Sequence, residues 1–416
     1  MKLRHLLVLA LAGACGVVLS GHAAEPLRLE QAVARALASN PAVAAESAQL
    51  QAIQARAQLE GLPMPYVLGG DLENIGGTGA LSGVHAAETT LRVSRVIELG
   101  GKRAARQALG GAEIAQQQHQ ADAIRLDIAS RTTMRFIEVV ADQRRLHDAV
   151  ERVALAERTR REVAAWVAAA RNPESDLRAA EIAVAEAELE REHAEHELAS
   201  ARVTLAASWG ALTPDFERVA GDLDTLPPVE GFDALAARLP RGLEQRAAAL
   251  ETETIAARRR SAEASAKPDL NISLGVRRLE GLDDQGLVMS VSMPLGSRPR
   301  AAFSVTEADA QLAALEARRD AQRIERHQAL FEKYQELNHA RTEFEMVRTR
   351  MLPKAEQALA FTRRGFEAGR FSFYQVAQAQ STLFSLRERS VEAATRYHTL
   401  LVEVERLTAV ATESAP

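Results

Sequence analysis

Residues 112–172 contain neither glycine nor proline. A helix of that length reaches roughly 90 Å at 1.5 Å per residue, more than an ordinary domain can enclose. Further clean stretches follow at 174–209, 300–352 and 370–415. Helices of this size predict a coiled coil or a helical conduit. The chain is 47% hydrophobic but only 4% aromatic, and its apolar content is mainly Ala, Leu and Val. That mixture favours thin, closely packed helical seams over a thick core. A net charge of −5, with no basic patch interleaved with aromatics, argues against a nucleic-acid partner.

The helices repeat. Displaced by 199 positions, Leu177, Val184, Arg191, Leu198 and Leu205 fall on Val376, Leu383, Ser390, Tyr397 and Val404. Asn40-Pro41 falls on Leu239-Pro240, and Ala180-Glu181 on Ala379-Gln380. The expected organisation is therefore two tandem structural repeats, 24–225 and 226–416, after a leader at 1–23. Each repeat is expected to hold a helix, a β-hairpin (about 66–97, then about 269–293) and a helical hairpin (about 102–210, then about 299–412). Ile182, Leu189, His196 and Val203 form a second heptad stripe, about 140° around the helix from the first. A two-stranded coiled coil needs one seam. A helix with two seams has a neighbour on each side, and helices packed that way can close a ring.

Between the long helices lie short alternating pieces. Leu270, Ile272, Leu274 and Val276 alternate with Asn271, Ser273 and Gly275; Leu287, Met289, Val291 and Met293 alternate with Val288, Ser290 and Ser292. The turn is expected over 280–286. In the first repeat, 66–73 and 88–97 flank the Gly-rich loop NIGGTGALSG. Each strand has about the 9–11 residues that cross a bilayer when tilted, and one apolar and one polar face suit a barrel with a wet lumen. Four strands cannot close, because the smallest membrane barrels have about eight, and an open edge cannot sit in lipid. Several chains must share the barrel: two give about eight strands and three about twelve. A soluble sandwich of hairpins is the alternative. Tyr66 is the single strand residue available for an interfacial aromatic girdle.

In VIELGGKRAARQ, residues 96–107, a strand gives way to a helix. Gly100 and Gly101 allow the bend, and Lys102, Arg103 and Arg106 begin the helix at the water boundary. Gly296 and Pro299 are expected to do the same in the second repeat, Pro299 in the first helical turn. At the N-terminus, Lys2 and Arg4 precede an apolar run at 6–20 and a small-x-small site at Gly21-His22-Ala23, which predicts an exported chain cut near Ala23. Residues 11–15 weakly resemble a lipoprotein box ending on Cys15, the one cysteine of the chain.

The residues that carry a family resemblance are LENIGG at 72–77, ETTL at 88–91, IELGGKR at 97–103 and, in the second repeat, GFEAGRFSF at 365–373 followed by Ala379-Gln380. With these the chain resembles the TolC-family outer-membrane efflux channels, most of all the branch that works with heavy-metal cation pumps. The resemblance implies a mainly α fold with a small β part. It would be a homotrimer with a twelve-stranded barrel in outer-membrane lipid and a twelve-helix α-barrel in the periplasm. It also implies a periplasmic adaptor docked on the helical tips, here Asn172, Pro173 and Glu174 with Gly369, Arg370 and Phe371, and behind it an inner-membrane pump of the RND type. Relatives narrow the entrance with aspartates; Gln375 and Gln378 stand in those places here, and Asp176 is the carboxylate nearest in role. The cargo would be heavy-metal cations, with drugs or organic solvents as the alternative. A periplasmic coiled-coil adaptor is the rival reading, and it predicts a single helical hairpin.

No catalytic chemistry is expected. Gly77, Gly79 and Gly83 lack the strand–loop–helix setting of a dinucleotide loop. His193-Ala194-Glu195-His196 is not the H-E-x-x-H of a zinc protease, and no Ser-His-Asp or Cys-His set stands out. No cofactor and no bound metal are expected.

Overall fold

Asn40 and Pro41 open the first long element as their types dictate. In a computed structural model that describes residues 25–410, the Asn40 side chain accepts from the Ala42 amide at 2.8 Å, with Pro41 in the first turn. The expected leader at 1–23, with Cys15, lies outside the described residues, as do the last positions of the second helical hairpin.

In chain order, β1 (Leu27–Arg28), α1 (Leu29–Ser39) and α2 (Pro41–Glu60) lead into β2 (Tyr66–Glu73) and β3 (Glu88–Ile97). Then come the rod α3 (Lys102–Ala168), α4 (Glu174–Ala206), β4 (Val219–Ala220) and α5 (Phe232–Ala236). The same sequence of parts follows again: α6 (Leu243–Ser265), β5 (Leu270–Leu279), β6 (Asp284–Ser292), α7 (Ser297–Met346), α8 (Leu352–Glu367) and α9 (Phe373–Leu407). Mainly helix with a small sheet, laid out twice, is the architecture expected from the sequence. Among the described residues no helix is long and apolar enough to cross a membrane.

The four strands form one antiparallel sheet in the order β2-β3-β5-β6. The β5–β6 turn is tighter than expected, since Asp284 to Gly286 already pair with Leu279 to Arg277. The helices continue the same lateral order. Next to the sheet, α2 packs on α3, α3 on α6 and α6 on α7; towards the far end, α4 packs on α3, α3 on α9 and α9 on α8. The chain is thus a row four helices wide that prolongs a row of four strands. Close approach depends on small residues: a Cβ at Gly110 would stand 2.7 Å from the Ala57 Cβ, so α2 and α3 meet backbone to backbone.

Midway along the rods a girdle buries the thickest core. Leu27, Phe136, Val139, Leu198, Leu205, Phe216, Val219 and Phe344 pack together, and Leu330, Leu337, Tyr397 and Val404 form a second cluster beside them. The irregular segment between α4 and α6 straps over these rods, pinned where Gln143 bonds both the amide and the carbonyl of Val219, at 2.9 and 3.1 Å.

Pro353 does not end its helix, although the clean stretch in the sequence stops there. The rod passes through a π-turn at Val347–Met351 and resumes as α8. Proline cannot donate to the carbonyl four residues back, and a wider turn placed just before it absorbs the missing bond.

Candidate functional site

The sheet sorts its side chains by face. The register aligns Leu68, Val93, Leu274 and Met289 in one row, with Leu91, Val276 and Leu287 in the next and Tyr66, Arg95, Ile272 and Val291 on the other side. These apolar residues share one face, and most are exposed: Leu68 is 76% and Met289 67% accessible. The opposite face carries Val67, Ser94, Ser273 and Ser290 in one row, with the Ser273 and Ser290 hydroxyls 2.8 Å apart. Above them Arg92 pairs with Asp71 at 2.9 Å, and Arg277 reaches Glu88 at 2.7 Å, Glu73 at 3.1 Å and the Thr90 hydroxyl at 3.0 Å. An exposed apolar face backed by a polar, charge-paired face is unstable in water and is suited to lipid outside and water inside.

Where strand becomes rod, both glycines after Leu99 are left-handed, Gly100 at φ 82° and Gly101 at φ 73°. A Cβ at Gly100 would also stand 2.8 Å from the Lys267 Cδ, so the hinge is conformationally and sterically reserved for glycine. Gly296, at φ 90°, caps α7 in the same way, with Pro299 in the first turn. The cations that follow the first hinge do more than mark the water boundary. Lys102 Nζ donates to Asp269 at 2.6 Å, Arg103 donates to the Gly61 carbonyl at 2.7 Å, and Arg106 donates to the Glu60 carbonyl at 2.7 Å while forking onto Glu98. The ELGGKR segment therefore ties α2, α3 and β5 into one knot and caps the open end of α2. Its partners Glu60, Gly61 and Asp269 are distant in sequence, and no local pattern points to them.

The Arg106 hydrogen bond holds the Glu98 carboxyl below the usual carboxylate range, and burial only partly opposes it. A lowered folded-state value contributes stability that is present above the ordinary carboxyl pKa of about 4.3 and is lost as pH falls through the lowered value. Glu98→Gln is accordingly expected to lower Tm at pH 7 by about 1 °C (~1 kcal/mol of lost pairing). The gap to wild type should close as pH drops below about 4; thermal unfolding across a pH series checks this, and a gap independent of pH would refute it.

Both helical tips sit at the far end of the rods. Trp166 of α3 stacks on Phe366 of α8 with ring centroids 4.5 Å apart, and Val163, Ala180, Phe373 and Val376 close the cluster around them. In the first tip Asn172 donates to Asp176 at 2.8 Å, Pro173 precedes α4, and Glu174 pairs with Arg178 at 2.8 Å. In the second, Gly369 is left-handed at φ 69° and Arg370 follows it, while the Phe371 ring lies flat on Gly365. Gln375 accepts from the Ser372 amide at 3.1 Å as part of a capping box. Asp176 and Gln375 thus both bond within their own tips, and Gln375 and Gln378 are both exposed beside Tyr374 in a groove of about 340 Å³. The S-x-x-Q spacing at Ser372 was readable as a cap.

The predicted second seam also lies open. Ile182 is 60% and Leu189 66% accessible, Val203 is exposed too, and α4 packs mainly on α3. His193 and His196 are on the solvated side of the same helix, with Glu192 3.7 Å from His196. Among the described residues a different set, His147, Asp148 and Glu151, brings three ligand-type groups together, but Arg387 already reaches Glu151 at 2.6 Å.

An open strand-and-rod row of this design defines a membrane channel subunit. Residues 241–410 match the family model described as outer membrane efflux protein. It is 29% identical over 391 residues to the cobalt-zinc-cadmium resistance protein CzcC of Cupriavidus metallidurans, which covers 92% of this chain and 90% of the relative. Solved structures share the fold. CusC superposes with a TM-score of 0.75 at 14% identity over 92% of both chains. The outer membrane protein VceC of Vibrio cholerae gives 0.74 at 16% identity, over 92% of this chain and 97% of its own.

Proposed function

We propose that three copies of this chain form a passive exit duct of the outer membrane, through which an inner-membrane pump of the RND type expels heavy-metal cations by way of a periplasmic adaptor. The observation that carries this reading is the open row. β2 and β6 each leave one strand edge unpaired, and α4 carries an exposed apolar stripe. Three such rows supply about twelve strands and twelve helices, enough for a closed barrel. The repeats 24–225 and 226–416 are the units of the row. Asn172, Pro173, Glu174, Gly369, Arg370 and Phe371 stand at the two tips, where an adaptor would dock. Asp176, Gln375 and Gln378 would line the entrance.

Metal cations are favoured as cargo by the likeness to the cobalt-zinc-cadmium resistance protein over nearly the whole length. The polar face supports small hydrated cargo as well, because its charges are already paired and bind no ion tightly. Deleting the gene and measuring growth in cobalt, zinc and cadmium salts, and separately in dyes and organic solvents, tests the cargo. Sensitivity to the metals alone is expected; sensitivity to dyes or solvents alone moves the reading to a drug duct. In the same cells the protein should fractionate with outer membrane as a heat-modifiable trimer, and a soluble periplasmic monomer would overturn the duct.

A further inference from the structure

The two ends of the sheet differ in how their charges are satisfied. At the hairpin end every arginine holds a carboxylate: Arg277 binds Glu73 and Glu88, and Arg278 binds Glu280 and Asp283. At the rod end the two acids are consumed, Glu98 by Arg106 and Asp269 by Lys102. Among the described residues, Arg95, Arg298 and Arg300 have no carboxylate partner there, nor do Lys267 and Arg103, the latter spent on the Gly61 carbonyl.

Their surroundings are apolar. Arg95 shares the apolar face of the sheet, in register with Tyr66, Ile272 and Val291. Its guanidinium lies 4.6 Å from the Tyr66 ring centroid and donates to the Tyr66 hydroxyl at 2.9 Å. The register places it two residues, about 7 Å, inside the Ile97–Leu270 strand end. Arg298 and Arg300 are exposed in the first turn of α7, between Leu295 (89% accessible) and Phe303 (78%). A cation on a lipid-facing surface is costly unless it reaches a counter-charge at headgroup depth. A guanidinium forks onto phosphate oxygens as a lysine cannot, and a tyrosine beside it belongs at the same depth.

We propose that Arg95, Arg298 and Arg300 form a belt that binds the phosphate of glycerophospholipids in the membrane leaflet on the rod side of the sheet, with Tyr66, Leu295 and Phe303 against the acyl chains. This rests on the reading of the sheet as membrane-embedded. The belt gives the protein a fixed depth and orientation, since the hairpin end, with its arginines neutralised, has no such demand.

The test is native mass spectrometry of the assembled, detergent-solubilised protein titrated with phosphatidylglycerol. The triple variant Arg95→Gln/Arg298→Gln/Arg300→Gln is expected to bind lipid at least about tenfold more weakly than wild type, and the corresponding triple lysine variant should lie between them. Arg278→Gln, at the other end, should bind as wild type does, and inorganic phosphate at the lipid concentration should not displace lipid. Because loss of Arg95 removes a bond to Tyr66, the double variant Arg298→Gln/Arg300→Gln serves where the triple does not assemble; a severalfold loss is expected. Wild-type lipid binding by the variants, as when an acid of the neighbouring subunit neutralises these arginines, overturns the belt, and so does equal displacement by inorganic phosphate. Flotation with phospholipid vesicles separates the two readings. A wild-type protein that does not float sinks the membrane duct itself, whereas one that floats while the variants keep their lipid sinks only the belt.

Discussion

Met289→Arg is expected to remove the protein from the outer membrane, while Ser290→Arg, one residue further on, leaves it there. The two positions are neighbours on β6 and point to opposite faces of the sheet. Met289 lies in the middle row with Leu68, Val93 and Leu274, where arginine facing hydrocarbon costs about 2–4 kcal/mol. The proposed barrel of three chains would carry that cost three times over, about 6–12 kcal/mol, comparable to the whole stability of an ordinary domain. Arginine at 290 joins a row of serines on the polar face and meets water. Comparing the amounts of heat-modifiable protein in outer-membrane fractions checks the pair. Equal loss from both substitutions would refute the assignment of faces.

Ile182→Asp/Leu189→Asp is expected to abolish the trimer without unfolding the chain. Both side chains are already solvated in the single chain, so aspartate there breaks no internal contact. In the proposed trimer each would be covered by the neighbouring row, and burying a side chain of this size contributes about 1.5–3 kcal/mol. The double variant forfeits that twice per interface and adds desolvation of two carboxylates. Non-boiled gel electrophoresis and light scattering of refolded protein are the measurements, with circular dichroism showing unchanged helix. A double variant that still forms trimers would mean that this stripe faces something other than a sister chain.

How much of this was readable beforehand follows the range of the interactions. Alternation at 270–276 and 287–293, the hinge glycines and the seven-residue stripes are local signals, and the elements lie where those signals place them, except that β6 begins at Asp284, inside the expected turn. The second stripe on α4 was legible as a seam, and its exposure in the single chain leaves that seam for a partner to cover. Four features were not legible. The strap between α4 and α6 has no periodicity, and β1 pairs with β4 across nearly the whole first repeat. Pro353 looked like a terminus because the compensating π-turn leaves no mark on composition. The ion partners of Lys102 and Arg106 depend on how β5 and α2 come back to the hinge. At the tips, the carboxylate of Asp176 was visible but its commitment to Asn172 was not.

The unfinished flanks of the row have a genetic corollary. With three subunits per duct, as proposed, one damaged copy spoils the whole closure. A cell making equal amounts of intact and interface-defective but assembly-competent protein would retain only about one all-intact duct in eight. Resistance should therefore collapse far more steeply than gene dosage, and such alleles should behave as dominant.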